Sequence, residues 1–169
     1  MEGAGPWRRH RPPAAAVEHA LPRVERHVTS TRVGPGAVRE ATQAVRDSLA
    51  GVGVDPRSAL ADAVLLVLGE LVANVLRHAR QTTVMDIGVT AAPGRLVLSV
   101  ADGDPRLPEL DPVRTGDGLR SVIEVAALYD GELSAEPAVN HHGKIVMVSF
   151  CRAPGTNTSK NTSTSTSEE

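Results

Sequence analysis

The apolar segment formed by residues 59–80 restricts the possible folds more than any other part of the sequence. It runs ALADAVLLVLGELVANVLRHAR, and its aliphatic side chains recur at the spacing of an α-helix. The recurring positions are Leu60, Val64, Val67, Leu68, Leu71 and Val75. Asp55 and Pro56 provide a helix start signal, an acceptor side chain followed by proline at the first helical position. The segment therefore predicts one long helix with its start signal at Asp55-Pro56.

Three polar side chains, Glu70, Asn74 and Arg77, interrupt this apolar helix. They are spaced four and three residues apart, so they share one face of the helix. Burying a carboxylate and an amide without partners is costly, which favours a solvated cleft or nearby charges at this face. The alternative interpretation is an ordinary solvated stripe on an amphipathic helix.

Composition limits the classes of function. The 169 residues suffice for one domain with a hydrophobic core. A net charge of −2 and an aromatic content of 2% argue against direct nucleic-acid binding. Gly69 and Glu70 interrupt the most apolar run, so no membrane partner is predicted. Cys151 is the single cysteine, which fits a reducing compartment and predicts a cytoplasmic location.

The remaining elements follow from hydrophobic periodicity and turn residues. The pattern predicts a strand at 24–33, a helix at 38–49, strands at 82–90 and 95–100, a helix from 116 to about 128, and a hairpin of 131–136 with 144–150 across a turn at 140–143. This order predicts an α/β (α+β) two-layer sandwich, with a mixed, mostly antiparallel sheet and helices on one face. The predicted domain covers residues 22–152, between disordered tails at 1–21 and 153–169.

Glu70 and Asn74 supply the oxygen ligands that Mg²⁺ prefers, and the glutamate can accept a proton from a hydroxyl or water. Asp102 and Gly103 directly follow an apolar strand. A carboxylate there can accept a hydrogen bond from an exocyclic amine, and the glycine lets a flat ring approach the backbone.

A third candidate segment, Gly116-Asp117-Gly118, opens a predicted helix. Glycines at a helix N-terminus allow backbone N–H groups to face an anion. In chain order the three segments are a metal-binding helix, a base-binding turn and a phosphate loop. Together they predict a nucleotide site.

These segments resemble the motifs of the GHKL (Bergerat-fold) ATP-binding proteins. GELVANVLRHA (69–79) is similar to the N box, VADGDPRLP (100–108) to the first glycine box and GDGLRSV (116–122) to the second. The resemblance is strongest to an actinobacterial single-domain subgroup similar to anti-sigma-factor serine kinases, and it spans about residues 24–150. It implies the same two-layer fold, with ATP and Mg²⁺ as ligands.

The resemblance also implies roles for individual residues. Glu70 would be the catalytic acid/base, Asn74 the Mg²⁺ ligand and Asp102 the partner of the adenine amino group, with Gly103 beneath the ring. The implied nucleotide site is completed by Arg77, Gly116, Gly118 and Leu119. His78 matches the family motif as well, but its place at the helix end favours a structural role.

Two positions depart from the subgroup pattern. Asp117 replaces the arginine between the loop glycines, and its carboxylate would repel a triphosphate unless it turned to solvent or met Arg114 or Arg120. Ile145, in GKIVM rather than GKTVW, lacks a hydroxyl that in the family helps to hold the base-binding aspartate. Both departures predict weaker nucleotide binding.

The resemblance implies a MgATP-dependent serine/threonine kinase that phosphorylates an anti-sigma antagonist. The alternative is a non-catalytic partner-switching module that sequesters a sigma factor or other regulator, with weak or no ATP hydrolysis. The expected partners are therefore an anti-sigma antagonist, a sigma factor or both, and a homodimer is expected by analogy.

Overall fold

The computed structural model describes residues 23–139 and 142–152, and eight elements lie within this part of the chain. They are β1 (Glu25–Arg32), α1 (Ala37–Gly51), α2 (Ala59–His78), β2 (Val84–Ala92), β3 (Arg95–Asp102), α3 (Asp117–Ala127), β4 (Leu133–Pro137) and β5 (Lys144–Cys151). The predicted elements occur in the predicted order. The predicted tails, and Asn140 and His141 of the predicted turn, lie outside the described residues.

The five strands form one sheet in the order β1-β2-β3-β5-β4. Each neighbouring pair is antiparallel, so the mostly antiparallel sheet predicted from the sequence has no parallel pairing within the described residues. The crossover through α3 makes β4 run parallel to β3. Because β5 lies between these two strands, they do not pair with each other.

Alternating burial along β3 shows which face of the sheet the helices cover. The covered face carries four cross-strand pairs between β3 and β5: Leu96 with Phe150, Leu98 with Val148, Val100 with Val146 and Asp102 with Lys144. The first three pairs are buried aliphatic and aromatic contacts beneath the helices. The fourth pair is polar and lies where both strands reach the end of the hydrophobic core. The predicted two-layer α/β sandwich is confirmed.

The long apolar helix α2 lies in the centre of the helical layer, between α1 and α3. By length and composition alone it would be long enough to cross a membrane. Its buried residues are Ala61, Val64, Val67, Leu68, Leu71, Val72 and Val75, and they belong to the single hydrophobic core. The apolar character of α2 is thus accounted for by packing inside the domain.

The start of α2 corrects the sequence-based expectation. Ser58, not Asp55, is the N-cap, and its hydroxyl accepts a hydrogen bond of 3.2 Å from the Ala61 N–H. Asp55 instead forms a turn before the helix, where its carboxylate accepts the Arg57 N–H at 2.9 Å. Pro56 is compatible with a cap at Asp55 or at Ser58. The helix begins at Ser58, whose hydroxyl can reach the first N–H groups that have no partner within the helix.

Candidate functional site

A cleft of about 570 Å³ opens between the second half of α2, the loop of residues 103–116, the start of α3 and the ends of β3 and β5. Its apolar walls are formed by Leu71, Val75, Val100, Leu119 and Val146. Charged and polar side chains surround these walls. An apolar cleft with a few convergent polar groups is typical of a small-molecule site.

Six of the eight residues predicted for the site line this cleft, and the fold brings them together from α2, β3, α3 and the loop before α3. They are Asn74, Arg77, Asp102, Gly116, Gly118 and Leu119. Glu70 lies just outside, against the first turn of α3. Gly103 also lies outside the cleft, and its N–H donates a hydrogen bond of 3.1 Å to Thr82 Oγ1. The functional roles of these eight residues stay predictions.

The polar stripe of α2 faces the loop and α3. Arg77 Nη2 donates a hydrogen bond of 2.9 Å to Asn74 Oδ1 and lies 3.9 Å from Glu70 Oε2. The Glu70 side chain is 37% exposed, so it contacts both solvent and protein. The three residues share one face, as their spacing predicts, and one guanidinium lies beside both proposed oxygen ligands.

Gly118 in the first turn of α3 leaves room for the end of the Glu70 side chain. A Cβ added at Gly118 would lie 2.5 Å from Glu70 Oε2 and 3.5 Å from Arg77 Nη2. A real Cβ does not tolerate the shorter contact, so the Glu70 carboxylate depends on a glycine at this position.

Asp102 lies at the inner end of the cleft, where its side chain is 2% exposed. Its Oδ1 accepts hydrogen bonds from Lys144 Nζ at 3.0 Å and from the Asp104 N–H at 2.7 Å. Lys144 Nζ also donates to the Asp104 carbonyl oxygen at 3.0 Å. Asp102 Oδ2 makes no hydrogen bond with the residues that the structure describes. A buried carboxylate thus has one satisfied oxygen and one oxygen available to a ligand.

The position of Ile145 corrects the expectation that a hydroxyl at this residue would help to hold Asp102. Ile145 pairs with Ala101 in the register of β3 and β5, whereas Lys144 pairs with Asp102. Because successive side chains of a strand point to opposite faces, Ile145 lies on the face away from the cleft. A hydroxyl at 145 would therefore not reach Asp102, and the residue that holds this carboxylate is Lys144.

The N-terminus of α3 is arranged to leave backbone N–H groups exposed. Gly116 is its N-cap and offers no side-chain cap. Asp117 is exposed and forms no ion pair within residues 23–139 and 142–152. Of its two expected partners, Arg114 lies 3.4 Å from Glu109, and Arg120 points to the Thr115 carbonyl oxygen at 3.5 Å. Asp117 is therefore exposed where it lines the cleft, and neither arginine that the sequence offered as a partner pairs with it among the described residues.

Thr115, directly before this helix, was not identified from the sequence. It lines the cleft, and Thr115 Oγ1 is the one buried side-chain nitrogen or oxygen atom without a hydrogen-bond partner in the described part of the chain. Orphaned buried hydroxyls are costly and call for an explanation such as a ligand or ion. In the sequence, the signal that could have identified Thr115 was its place directly before the glycine-rich start of the predicted helix, where N–H groups can face an anion.

Arg106 ties the loop of residues 103–116 to the end of α2. Its guanidinium bonds the Asp104 carboxylate with a shortest distance of 2.6 Å and donates to the His78 carbonyl oxygen at 3.0 Å. The side-chain hydrogen bond from Arg106 holds the pKa of Asp104 well below its usual range. The same bond raises the pKa of Arg106. A positive group at the C-terminal carbonyl groups of α2 is also favoured by the helix dipole.

The fold and the cleft define a nucleotide-binding α/β domain. The model of the histidine kinase-like ATPase domain family matches residues 31–124, more than half of the chain. The chain therefore belongs to this family, the GHKL group, whose ATPase domains bind ATP, typically with Mg²⁺. No match is found among curated protein sequences.

Several solved histidine kinase structures are similar to this chain, and the catalytic domain of ThkA shares its fold. The catalytic domain of the histidine kinase ThkA has a TM-score of 0.50 and 17% identity, over 76% of this chain and 99% of that domain. The histidine kinase domain of the blue-light-activated kinase of Erythrobacter litoralis has a TM-score of 0.43 and 22% identity, over 53% of this chain and 43% of its own. The histidine kinase AdeS of Acinetobacter baumannii has a TM-score of 0.45 and 17% identity, over 74% of this chain and 67% of the AdeS chain. This chain thus spans less than half of the Erythrobacter structure.

The residues in the cleft fit a magnesium-bound nucleotide. Asp102 Oδ2 offers an acceptor for a base, and the apolar walls can cover a flat ring. The uncapped N–H groups of α3 can donate to phosphate oxygens, and the buried Thr115 hydroxyl can join them once its side chain turns toward the cleft. Asn74 Oδ1 is an oxygen ligand of the type that Mg²⁺ accepts, once Arg77 releases it.

Proposed function

We propose that this protein is an anti-sigma-factor-type serine/threonine kinase that transfers phosphate from MgATP to an anti-sigma antagonist protein. The observation that carries the proposal is the contact between Glu70 and Gly118. It puts a carboxylate that can accept a proton beside the helix start that is expected to hold phosphates. Family membership supports the ATP-dependent part of the proposal.

Each side of the cleft has a distinct role in this proposal. Asp102 binds the amino group of the base, and Thr115 and the first N–H groups of α3 bind the phosphates. Asn74 would hold Mg²⁺, which neutralises phosphate charge when bound. Arg77, beside Asn74, is long enough to turn toward the phosphates, and its guanidinium suits their geometry.

The chemical step is an in-line transfer of the γ-phosphoryl group. Glu70 accepts the proton of the acceptor hydroxyl, and the oxygen of that hydroxyl forms the new bond to phosphorus. The bond between the γ-phosphorus and the β–γ bridging oxygen breaks, and ADP leaves. The partial exposure of Glu70 allows a side chain from another protein to approach it.

A partner-switching module without catalysis is the second candidate. It would sequester a sigma factor or another regulator, with ATP bound weakly or not hydrolysed. The observation that favours it is Asp117, because this carboxylate lines the cleft at the phosphate end, where it repels a triphosphate. For both candidate functions we propose a cytoplasmic location and a homodimer.

The test combines calorimetry with phosphoryl transfer from labelled ATP. We expect the purified protein to bind MgATP and to label a candidate antagonist on serine or threonine, whereas Glu70→Gln binds ATP but transfers at least about a hundredfold more slowly. Glu124→Gln, an exposed glutamate on α3, is the matched control and should transfer normally.

Each outcome separates the candidates. Binding without transfer to any antagonist, together with capture of a sigma factor, favours the partner-switching module. Full transfer by Glu70→Gln removes Glu70 from the mechanism. Failure to bind MgATP contradicts both forms of the proposal that use the nucleotide.

A further inference from the structure

The Lys144–Asp102 pair is unusual among the ion pairs of the described residues because neither side chain is more than slightly exposed. Lys144 is 12% exposed and Asp102 is 2% exposed. The other ion pairs each have a side chain that is more than half exposed. Removing one partner of a buried pair leaves an uncompensated charge, so its geometry is strongly enforced.

This geometry divides the two oxygens of Asp102. Oδ1 receives both Lys144 Nζ and the Asp104 N–H, at 3.0 and 2.7 Å. Oδ2 has no hydrogen-bond partner in the described part of the chain. Thr115 Oγ1 is the one fully buried side-chain nitrogen or oxygen atom without a partner among these residues, so Oδ2 keeps some exposed surface. The carboxylate therefore offers a ligand one acceptor rather than two.

The number of acceptors matters for base recognition. The Watson–Crick edge of guanine has two adjacent donors, N1–H and the 2-amino group, which match both oxygens of an unoccupied carboxylate. The corresponding edge of adenine has one amino donor beside the N1 acceptor. A carboxylate with one available oxygen accepts the one amino donor of this adenine edge and leaves one guanine donor without a partner.

We propose that Lys144 is a positioning residue that determines base specificity: by occupying Asp102 Oδ1, it makes the site select adenine over guanine nucleotides. This inference rests on the proposed nucleotide-binding function. Lys144 acts through Asp102, and two of its three N–H donors are committed to Asp102 Oδ1 and the Asp104 carbonyl oxygen.

Calorimetric titration of the full-length protein with MgATP and MgGTP tests the inference. We expect the wild type to prefer ATP by at least about tenfold, the effect of one hydrogen bond. Lys144→Met removes the ammonium donors and leaves the Asp104 N–H as the remaining donor to Oδ1 among the described residues, so that Oδ1 can accept one further hydrogen bond. The ATP/GTP ratio of affinities should then fall by about tenfold, mainly through tighter GTP binding. Lys144→Gln has the same length as the methionine variant and keeps a donor, so its ratio should stay within about threefold of the wild type.

A merely structural lysine gives a different result, because both affinities would fall together in Lys144→Met. That outcome, or an unchanged ratio, or a wild type that binds GTP as well as ATP, would overturn the inference and leave the proposed function standing. Binding of neither nucleotide by the wild type would overturn the proposed function, and the inference with it.

Lys144→Met leaves Asp102 unpaired and could prevent folding, so a second comparison is included. Asp102→Ala and the double variant Asp102→Ala/Lys144→Met have no side-chain acceptor for Lys144 at position 102. If Lys144 acts through Asp102, these two variants have the same ATP/GTP ratio within about threefold. A larger difference between them would show that Lys144 reads the base directly and would refute the positioning role.

Discussion

The Glu70 carboxylate lies directly against Gly118, so that a Cβ at Gly118 would come within 2.5 Å of Glu70 Oε2. One residue belongs to the middle of α2 and the other to the first turn of α3. The missing side chain at Gly118 thus leaves room for the proposed base beside the proposed phosphate loop.

Gly118→Ala should displace the Glu70 carboxylate without unfolding the protein. Glu70 is a flexible, partly exposed side chain that can turn away, and alanine favours a helix over glycine by about 1 kcal/mol. We expect unchanged or slightly higher stability, and phosphoryl transfer slower by about a hundredfold because the base is misplaced. Thermal unfolding and a transfer assay measure the two effects. Gly69→Ala is the control, since a Cβ there meets nothing within 4 Å; equal transfer rates in both variants would contradict the prediction.

Thr115→Val removes the orphaned hydroxyl while keeping the shape of the side chain. The hydroxyl has no partner within the described residues, so its loss should leave stability unchanged or raise it by up to about 1 kcal/mol. ATP affinity should fall by about tenfold if the hydroxyl binds phosphate. Thr82→Val provides the contrast, because Thr82 Oγ1 accepts the Gly103 N–H and its loss should cost about 1 kcal/mol of stability. Unchanged ATP affinity in Thr115→Val would remove this residue from the site.

Arg106→Gln should change how stability depends on pH. The hydrogen bond from Arg106 lowers the pKa of folded Asp104 below its usual value of 3.8, so the pair stabilises the fold above that pH and less as pH falls. The stability difference between wild type and Arg106→Gln should be constant above about pH 5 and shrink below about pH 4. Urea unfolding across this range measures it, and Arg120→Gln is a control that should give a flat difference. A difference that grows toward acid would contradict the assignment.

Asn74→Ala should remove the magnesium dependence of nucleotide binding. Chelation of Mg²⁺ with EDTA is expected to weaken ATP binding to the wild type by about tenfold or more, because phosphate charge is then less neutralised. Asn74→Ala should bind ATP with similar affinity in Mg²⁺ and in EDTA. Calorimetry in Mg²⁺ and in EDTA measures the ATP affinity of both proteins. An equal loss of affinity on chelation in wild type and Asn74→Ala would assign the metal to another residue.

Ser58→Ala tests the corrected start of α2. Loss of the hydroxyl that accepts the Ala61 N–H should lower the free energy of unfolding by about 1 kcal/mol. Asp55→Ala breaks a turn before the helix and should cost less. Urea unfolding compares the two variants, and a larger loss for Asp55→Ala would restore Asp55 as the cap.

The repeating patterns of the sequence were sufficient to predict the helices and strands and the two-layer class of the fold. The spacing of Leu68, Leu71 and Val75 predicts α2, and alternation through Leu96 and Leu98 predicts β3, because burial repeats with the period of each element. Similarly, the polar stripe of Glu70, Asn74 and Arg77 could be predicted, because the three contacts are local to one helix. The cap at Ser58 could not, since Asp55 and Ser58 both offer acceptors and the choice depends on backbone geometry.

By itself, then, the sequence determined the elements, their order and the polar groups that each one carries. Only the tertiary structure decided which groups meet across elements: Gly118 with Glu70, Lys144 instead of Ile145 with Asp102, and Thr115 Oγ1 without a partner. The reason is physical. Periodicity records which face of an element is buried, whereas strand register and the approach of two helices depend on packing between segments far apart in the chain.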